Sequence, residues 1–297
     1  MEIINILKYN IRSIYKYWFK CIGVLASILT VLFLFISWED IKIETLSQKF
    51  MLLIVSCLLL LFWTVLWICI IRKRKIIWQY SSGRIIVCYA DLLNEAFKEK
   101  NKKEQLYVIP VNSSFDTVVD SDISLTSKPL VSPRSLHGKW IKKMEETGKN
   151  LADIDSEINH SLKIHNIKPI KILTDTQKVR GKKEIYELGT VAIVKGKRNN
   201  IFLLLALTNF DDNNNAHTSM EELEFALKKL IEFYDQYGQG YEMMIPLMGT
   251  NLSRAHISHE EALRIITSKL LLHKKHICGD ISIAIYPGDK DKVTIDI

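Results

Sequence analysis

Cysteine is scarce in this chain of 297 residues, and its placement excludes whole classes of protein. The five cysteines form no CxxC pair and no framework spacing, so neither a disulfide scaffold nor a zinc ribbon is written here. Cys21, Cys57 and Cys69 lie inside apolar runs, and Cys88 and Cys278 lie in or beside others, where a reduced thiol serves as a small hydrophobe. The chain also lacks GxSxG, HExxH and any GKS or GKT behind a glycine turn, so no nucleophile elbow, zincin helix or Walker loop is indicated. The pairs His256/His259 and His273/His276 have i, i+3 spacing, but a metal needs further ligands in a shielded pocket, no partnering Cys or acidic cluster stands out, and no metal is expected. No Pro, Gly or Ser-rich linker and no internal repeat divides the chain after Lys75.

The most informative absence is that of charge. Residues Cys21 to Trp38 and Phe50 to Ile71 contain no charged side chain. A hydrocarbon core about 30 Å thick needs about 20 apolar residues in a helix. Two transmembrane helices are therefore expected, at about 20–38 and 50–71. A cleavable leader is the rival reading of the first run, but the run is long for one and no small-x-small site follows it. Lys8, Arg12, Lys16 and Lys20 precede the first run, and Arg72, Lys73, Arg74 and Lys75 follow the second. The excess of Lys and Arg at both outer ends puts both termini on the cytoplasmic side of a cell membrane, with a short hairpin outside. Trp18 and Trp38 bracket the first span as interfacial aromatics, and Gly23 with Ser27 makes a small-xxx-small pair.

The first 75 residues hold 10 of the 40 basic and 4 of the 33 acidic side chains, so most of the net charge of +7 belongs to this hairpin. The remainder is near neutral without a basic stripe, and no nucleic-acid partner is expected. Membrane lipid is the expected neighbour of the first 75 residues. Residues 76–297 are enough for one domain with a full core.

In that domain, buried-strand patterns alternate with amphipathic helices. Strands are expected at Arg84–Tyr89, Leu106–Val111, Thr190–Lys195, Ile201–Asn209, Tyr241–Leu247 and Ile281–Tyr286, with an edge strand at Val293–Ile297. Helices are expected at Leu92–Lys100, Pro133–Thr147 and Ala152–His165, then behind capping boxes Ser219/Glu222 and Ser258/Glu261. The fold class is α/β: two N-terminal transmembrane helices, then a mixed sheet flanked by helices on both faces. In such sheets ligands bind beyond the carboxyl ends of the strands. Three segments fall there: Asp91-Leu92, Asn112-Ser113-Ser114, and Gly249-Thr250-Asn251-Leu252-Ser253-Arg254. The last has the small and hydroxylated residues that let backbone N–H groups approach an anion, with Arg254 adding charge. Its plainer reading is a strand–helix turn. Ser135-Leu136-His137-Gly138 forms a further hydroxyl–His–Gly group near a helix start.

Together these pieces resemble a macro domain, the ADP-ribose-binding α/β fold, over about Ile77 to Ile297. The resemblance implies that Asp91 holds an adenine amine, that Val111-Asn112-Ser113-Ser114 contacts a distal ribose, that the Gly249 loop grips a diphosphate, and that Tyr286 lies near the adenine. Hydrolytic macro domains carry a second Asn and a run of glycines where this chain has Phe115-Asp116-Thr117 and Ser135-Leu136-His137-Gly138. The resemblance therefore implies a binder of an ADP-ribose derivative and not an enzyme, with no cofactor beyond that signal. With two spans in front, the chain is similar to the membrane-anchored ThsA effectors of Thoeris antiphage defence. Membership would imply a TIR-domain protein that makes an NAD-derived signal, expected to be histidine–ADP-ribose. The effector would bind it, form a homo-oligomer and disrupt the bacterial cell membrane, ending in abortive infection. The alternatives are a membrane-tethered ADP-ribosyl hydrolase using Asn112, Asp116 and His137, and a constitutive anchor or toxin without a ligand.

Overall fold

The computed structural model describes residues 2–38, 40–43, 45–98, 104–122, 126, 128–197, 200–210, 216–238, 240–250 and 257–296. The chain divides into two compact units, one of Met1–Lys73 with Gly288–Ile297 and one of Arg74–Pro287. The division falls after Lys73, and the last ten residues group with the helices.

The helical unit begins with α1 (Glu2–Leu32) and continues with α2 (Leu46–Leu66), which runs on as one wide turn through Trp67–Ile71. Both helices are long and apolar enough to cross a membrane, and their apolar side chains are largely exposed. The first differs from expectation at both ends. It starts at Glu2, well before Cys21, so Lys8, Arg12, Lys16 and Lys20 lie within the same continuous helix. It stops at Leu32, where residues 33–38 fold into a turn with Phe33 stacked on Trp38 at 4.1 Å. Ser37 holds that turn by donating from its N–H and Oγ to Asp40 Oδ2, both at 2.7 Å. Thr45 and Gln48 then form a capping box that starts α2. Trp18 Nε1 donates to the Cys57 carbonyl at 3.0 Å and ties the two helices together. A Cβ added at Gly23 would meet no atom within 4 Å, so the small-residue pair faces open space.

The strands of the second unit's main sheet are β1 (Arg74–Tyr80), β2 (Gly83–Tyr89), β3 (Gln105–Asn112), β6 (Val191–Lys195), β7 (Asn200–Phe210), β9 (Glu242–Pro246) and β10 (Ile281–Ile285). Their order is β1-β2-β10-β9-β3-β7-β6, with β8 (Ala216–His217) added on β7. A short pair, β4 (Lys171–Ile172) with β5 (Glu184–Ile185), stands apart. Strands β2, β10, β9, β3 and β7 are mutually parallel, while β1 and β6 are antiparallel at the two edges. Parallel strands need both faces covered, which explains the unbroken apolar runs at β3 and β7. On one face, α4 (Leu136–Glu146) and α5 (Leu151–Ile164) bury Trp140, Ile141, Met144, Ile154 and Ile158 against Tyr107, Ile109, Phe202 and Leu204. Helices α6 (Met220–Tyr237) and α7 (His259–Leu272) bury Leu223, Leu227, Leu230, Leu263 and Ile266, and both start at the expected capping boxes.

Three expectations need correction. The helix expected at Leu92–Lys100 is only α3 (Leu92–Ala96) among the described residues. Strand β1 was unexpected, because Arg74-Lys75-Ile76-Ile77-Trp78-Gln79-Tyr80 reads as a charged flank until it pairs with β2. The edge strand expected at Val293–Ile297 does not form among the described residues 293–296. Val293 and Ile295 are buried instead within the helical unit.

Candidate functional site

Because β2, β10, β9 and β3 are adjacent and parallel, the segments that follow them open on one edge of the sheet. Backbone hydrogen bonds carry the register past the strand ends: Ala90 N donates to Ile285 O at 2.9 Å, Leu247 N to Ala284 O at 3.0 Å, and Ser113 N to Thr208 O at 2.8 Å. Asp91, Asn112-Ser113-Ser114, Gly249-Thr250 and Tyr286 therefore share this rim. The Lys139 ammonium of α4 lies 6.0 Å from the centre of the Tyr286 ring, which brings the first turn of α4 to the same edge. Asn251, Leu252, Ser253 and Arg254 lie outside the described residues, as does His256.

Each rim residue has a definite local job. Asp91 caps α3, its Oδ1 accepting from the N–H groups of Leu93 and Asn94 at 3.0 and 3.1 Å, while Leu92 is buried below it. Tyr286 is 55% exposed, with the Lys139 ammonium over its ring. Gly249 is held at φ +89°, a left-handed backbone that a Cβ would strain, and is buried beside Leu223. Ser135 is the N-cap of α4. Its Oγ accepts from Gly138 N at 2.9 Å and donates to Ser132 O at 2.7 Å, while Leu136 is half-buried. Gly138 must be glycine, since a Cβ there would stand 2.1 Å from the Ser132 carbonyl oxygen.

The loop after β3 is organised around Asn112. Its Oδ1 accepts from the N–H groups of Ser114 and Asp116 at 3.2 and 3.1 Å, and its Nδ2 donates to Asp116 Oδ2 at 3.2 Å. This wrapping holds Phe115 in the left-handed region at φ 53°, buried against Tyr186. Ser113 is buried, and Ser114 Oγ is buried without a hydrogen bond among the described residues. Asn112 thus uses its amide oxygen and one amide N–H in the fold of the loop.

A segment that sequence reasoning missed holds this loop down. Lys178, Arg180 and Lys182 lie along a bent, irregular stretch, with Gly181 at φ +82°, and meet three carboxylates. Lys178 Nζ reaches Asp116 at 2.7 Å with both side chains buried, Arg180 reaches Asp120 at 2.7 Å, and Lys182 reaches Asp155 at 2.5 Å. Lys182 N also donates to Asp116 Oδ1 at 2.7 Å, and Thr117 Oγ1 donates to Asp155 at 2.9 Å. Burial alone would push the Asp120 carboxyl up, but hydrogen bonds from Arg180 and Leu130 N outweigh it and hold it below the usual range. Three cations within five residues marked a charged segment but gave no sign of which carboxylates it meets.

His137 is buried and stacks on Trp140 with ring centres 6.2 Å apart. Burial, with the nearby Lys182 charge, lowers its pKa to about 3, so the ring is neutral at physiological pH. Cys88, at the end of β2, is pushed up to about 11 by burial and then by Glu95, which leaves it a thiol rather than a nucleophile. No cluster of His, Cys, Asp and Glu fit to hold a metal occurs among the described residues. A groove of about 360 Å³ lies elsewhere, bordered by Ile167, Gly189, Thr190, Lys229 and Phe233, and contains none of the candidate residues.

The family described as "Thoeris protein ThsA, Macro domain" matches the chain over residues 85–286. Among solved structures, a macrodomain from Oceanobacillus iheyensis with ADP is similar at 10% identity, covering 74% of this chain and 93% of that one with a TM-score of 0.41. The macrodomain of Mycobacterium tuberculosis DarG is similar at 13% identity, covering 68% and 97% with a TM-score of 0.36. A comparison with curated proteins gives no match.

Proposed function

Since the chain belongs to the Thoeris ThsA macro-domain family, matched over residues 85–286, we propose that it is a ligand-gated membrane effector of antiphage defence. The ligand is an NAD-derived ADP-ribose signal, histidine–ADP-ribose being the expected form, supplied by a TIR-domain partner. Binding drives self-assembly, and the apolar hairpin then damages the cell membrane. One observation carries this reading: a sheet rim that gathers Asp91, the Asn112 loop, the start of α4, Gly249 and Tyr286 is fused to a two-helix hairpin of membrane-spanning length.

The chemistry divides along the rim. The exposed Tyr286 ring offers a face for an adenine, and Asp91 offers a carboxylate acceptor for its amine. The left-handed backbone at Gly249 is of the kind that lets neighbouring N–H groups form an anion-binding concavity, which suits a diphosphate at this end of β9. A ligand drives assembly only by binding the assembled state more tightly. Binding rather than hydrolysis is supported by the state of the groups a hydrolase would use. Asp116 is fully buried and engaged by Lys178 and Lys182 N, and His137 is buried and neutral.

Calorimetric titration of the full chain in lipid nanodiscs tests the reading. Histidine–ADP-ribose is expected to give a saturable heat, lost or weakened at least tenfold in Asp91→Ala. No heat with the parent, or an unchanged isotherm in that variant together with Tyr286→Ala, removes the rim as the site.

A further inference from the structure

The most informative feature outside the rim is the segment that follows β10. Residues Gly288–Ile297 group with the helical unit, although they directly continue the second unit's sheet. They reach both helices of the hairpin. Toward α1, Thr294 Oγ1 donates to Asn10 Oδ1 at 2.7 Å, and both residues are buried. The Asn10 amide is completed by donating to the Ile6 carbonyl at 2.8 Å. Toward the end of α2, Asp296 accepts from Arg72 Nη1 on both carboxylate oxygens at 2.9 Å, and the two side chains are only 8% and 11% exposed. Asp296 N in turn donates to Thr294 Oγ1 at 3.1 Å, which links the two anchors.

Arg72 is itself a junction. Its guanidinium carbon lies 5.4 Å from the ring centres of Tyr17 on α1 and Trp67 on the last turn of the second helix, and those rings meet edge to face at 5.3 Å. Val293 and Ile295 are buried, as are Ile14 on α1 and Ile68 at the end of the second helix. The anchors sit on the helix portions flanked by Lys8, Arg12, Lys73 and Arg74, the ends that charge assigns to the cytoplasm. A surface covering would not need two buried polar anchors, each matched to a different helix. Such anchors select one geometry, because losing either leaves a buried polar group without its partner.

We propose that segment 288–297 is an autoinhibitory clasp. It pins the cytoplasmic ends of the two helices in a resting arrangement, and its release frees the hairpin to act on the bilayer. The covalent route is short, since Tyr286 at the rim is separated from the clasp by Pro287 alone. The proposal rests on the membrane-effector reading for what the freed hairpin does, but the clasp itself follows from the contacts around Asn10 and Arg72.

Dye release from liposomes carrying the full chain tests it. Asp296→Ala and Thr294→Val are expected to raise ligand-free release at least tenfold over the parent, while calorimetric affinity for histidine–ADP-ribose stays within about twofold. The double exchange Arg72→Asp with Asp296→Arg is expected to return release toward the parent level, which a merely damaged protein would not do. Single variants as silent as the parent overturn the clasp. Release in the single variants that the exchange leaves undiminished overturns it too. The effector reading is judged separately by the parent with ligand. If only that arm fails while the single variants leak, the clasp stands and the assigned signal falls.

Discussion

At the scale of single residues, burial decides what each ionisable group contributes. Asp116 and Lys178 are both buried and hold the loop after β3 together with Asn112. Removing one partner strands the other charge in a dry environment, which costs about 3–5 kcal/mol. Asp116→Ala is therefore expected to lower unfolding free energy by about that amount, and denaturant midpoints at constant slope are the check. His137 gives a pH signature. Its native pKa of about 3 lies below the ordinary 6.5, so the native ring stays neutral while the unfolded chain takes up a proton below pH 6.5. It thus contributes nothing to the pH dependence above 6.5 and progressively destabilises the fold as pH falls from 6.5 toward 3, with a slope of about 1.4 kcal/mol per pH unit. In His137→Phe, which keeps a ring against Trp140, that part of the acid slope is expected to disappear, as thermal unfolding across this pH window will show. The Asn112 amide marks where residue-level reading stops. Asn-Ser-Ser at a strand end announces a turn or a ligand contact, but not which one claims the amide.

At the scale of elements, local signals were legible wherever they were self-contained. The boxes Ser219/Glu222 and Ser258/Glu261 each satisfy two helix-start groups within four residues, and both helices begin there. Ser219→Ala is expected to cost about 1 kcal/mol, read as a shifted denaturation midpoint, with Ser258→Ala similar. Elements whose existence depends on a partner were not legible. Strand β1 takes its identity from pairing with β2, since its side chains alone read as a charged flank with an apolar pair. The Val293–Ile297 segment fails the other way. Its alternating apolar residues suggest an edge strand, but the face they bury lies on helices more than 200 residues earlier in the sequence. The strap Lys178–Lys182 was hidden for a related reason, because its acidic partners, Asp116 and Asp120 in the connection after β3 and Asp155 on α5, lie far from it along the chain.

At the scale of the whole molecule, two helices with exposed apolar surfaces are joined to an α/β domain with a closed core. Leu52, Leu53, Leu58, Leu59 and Phe62 stand open on α2, an arrangement that water disfavours and a bilayer does not. The chain is expected to remain with the membrane pellet after alkaline carbonate washing, and recovery in the supernatant would remove the bilayer from the account. What the sequence determined by itself was whatever depends on neighbours along the chain: the uncharged runs, the charge bias at their ends, the strand and helix periods, and the family to which the domain belongs. What only tertiary structure decided was which distant groups meet. The wrapping of Asn112 around Asp116, the strap over that loop and the return of segment 288–297 to the hairpin all follow from long-range packing. Burial and charge pairing choose such partners by position in space, and spacing along the chain carries no record of that choice.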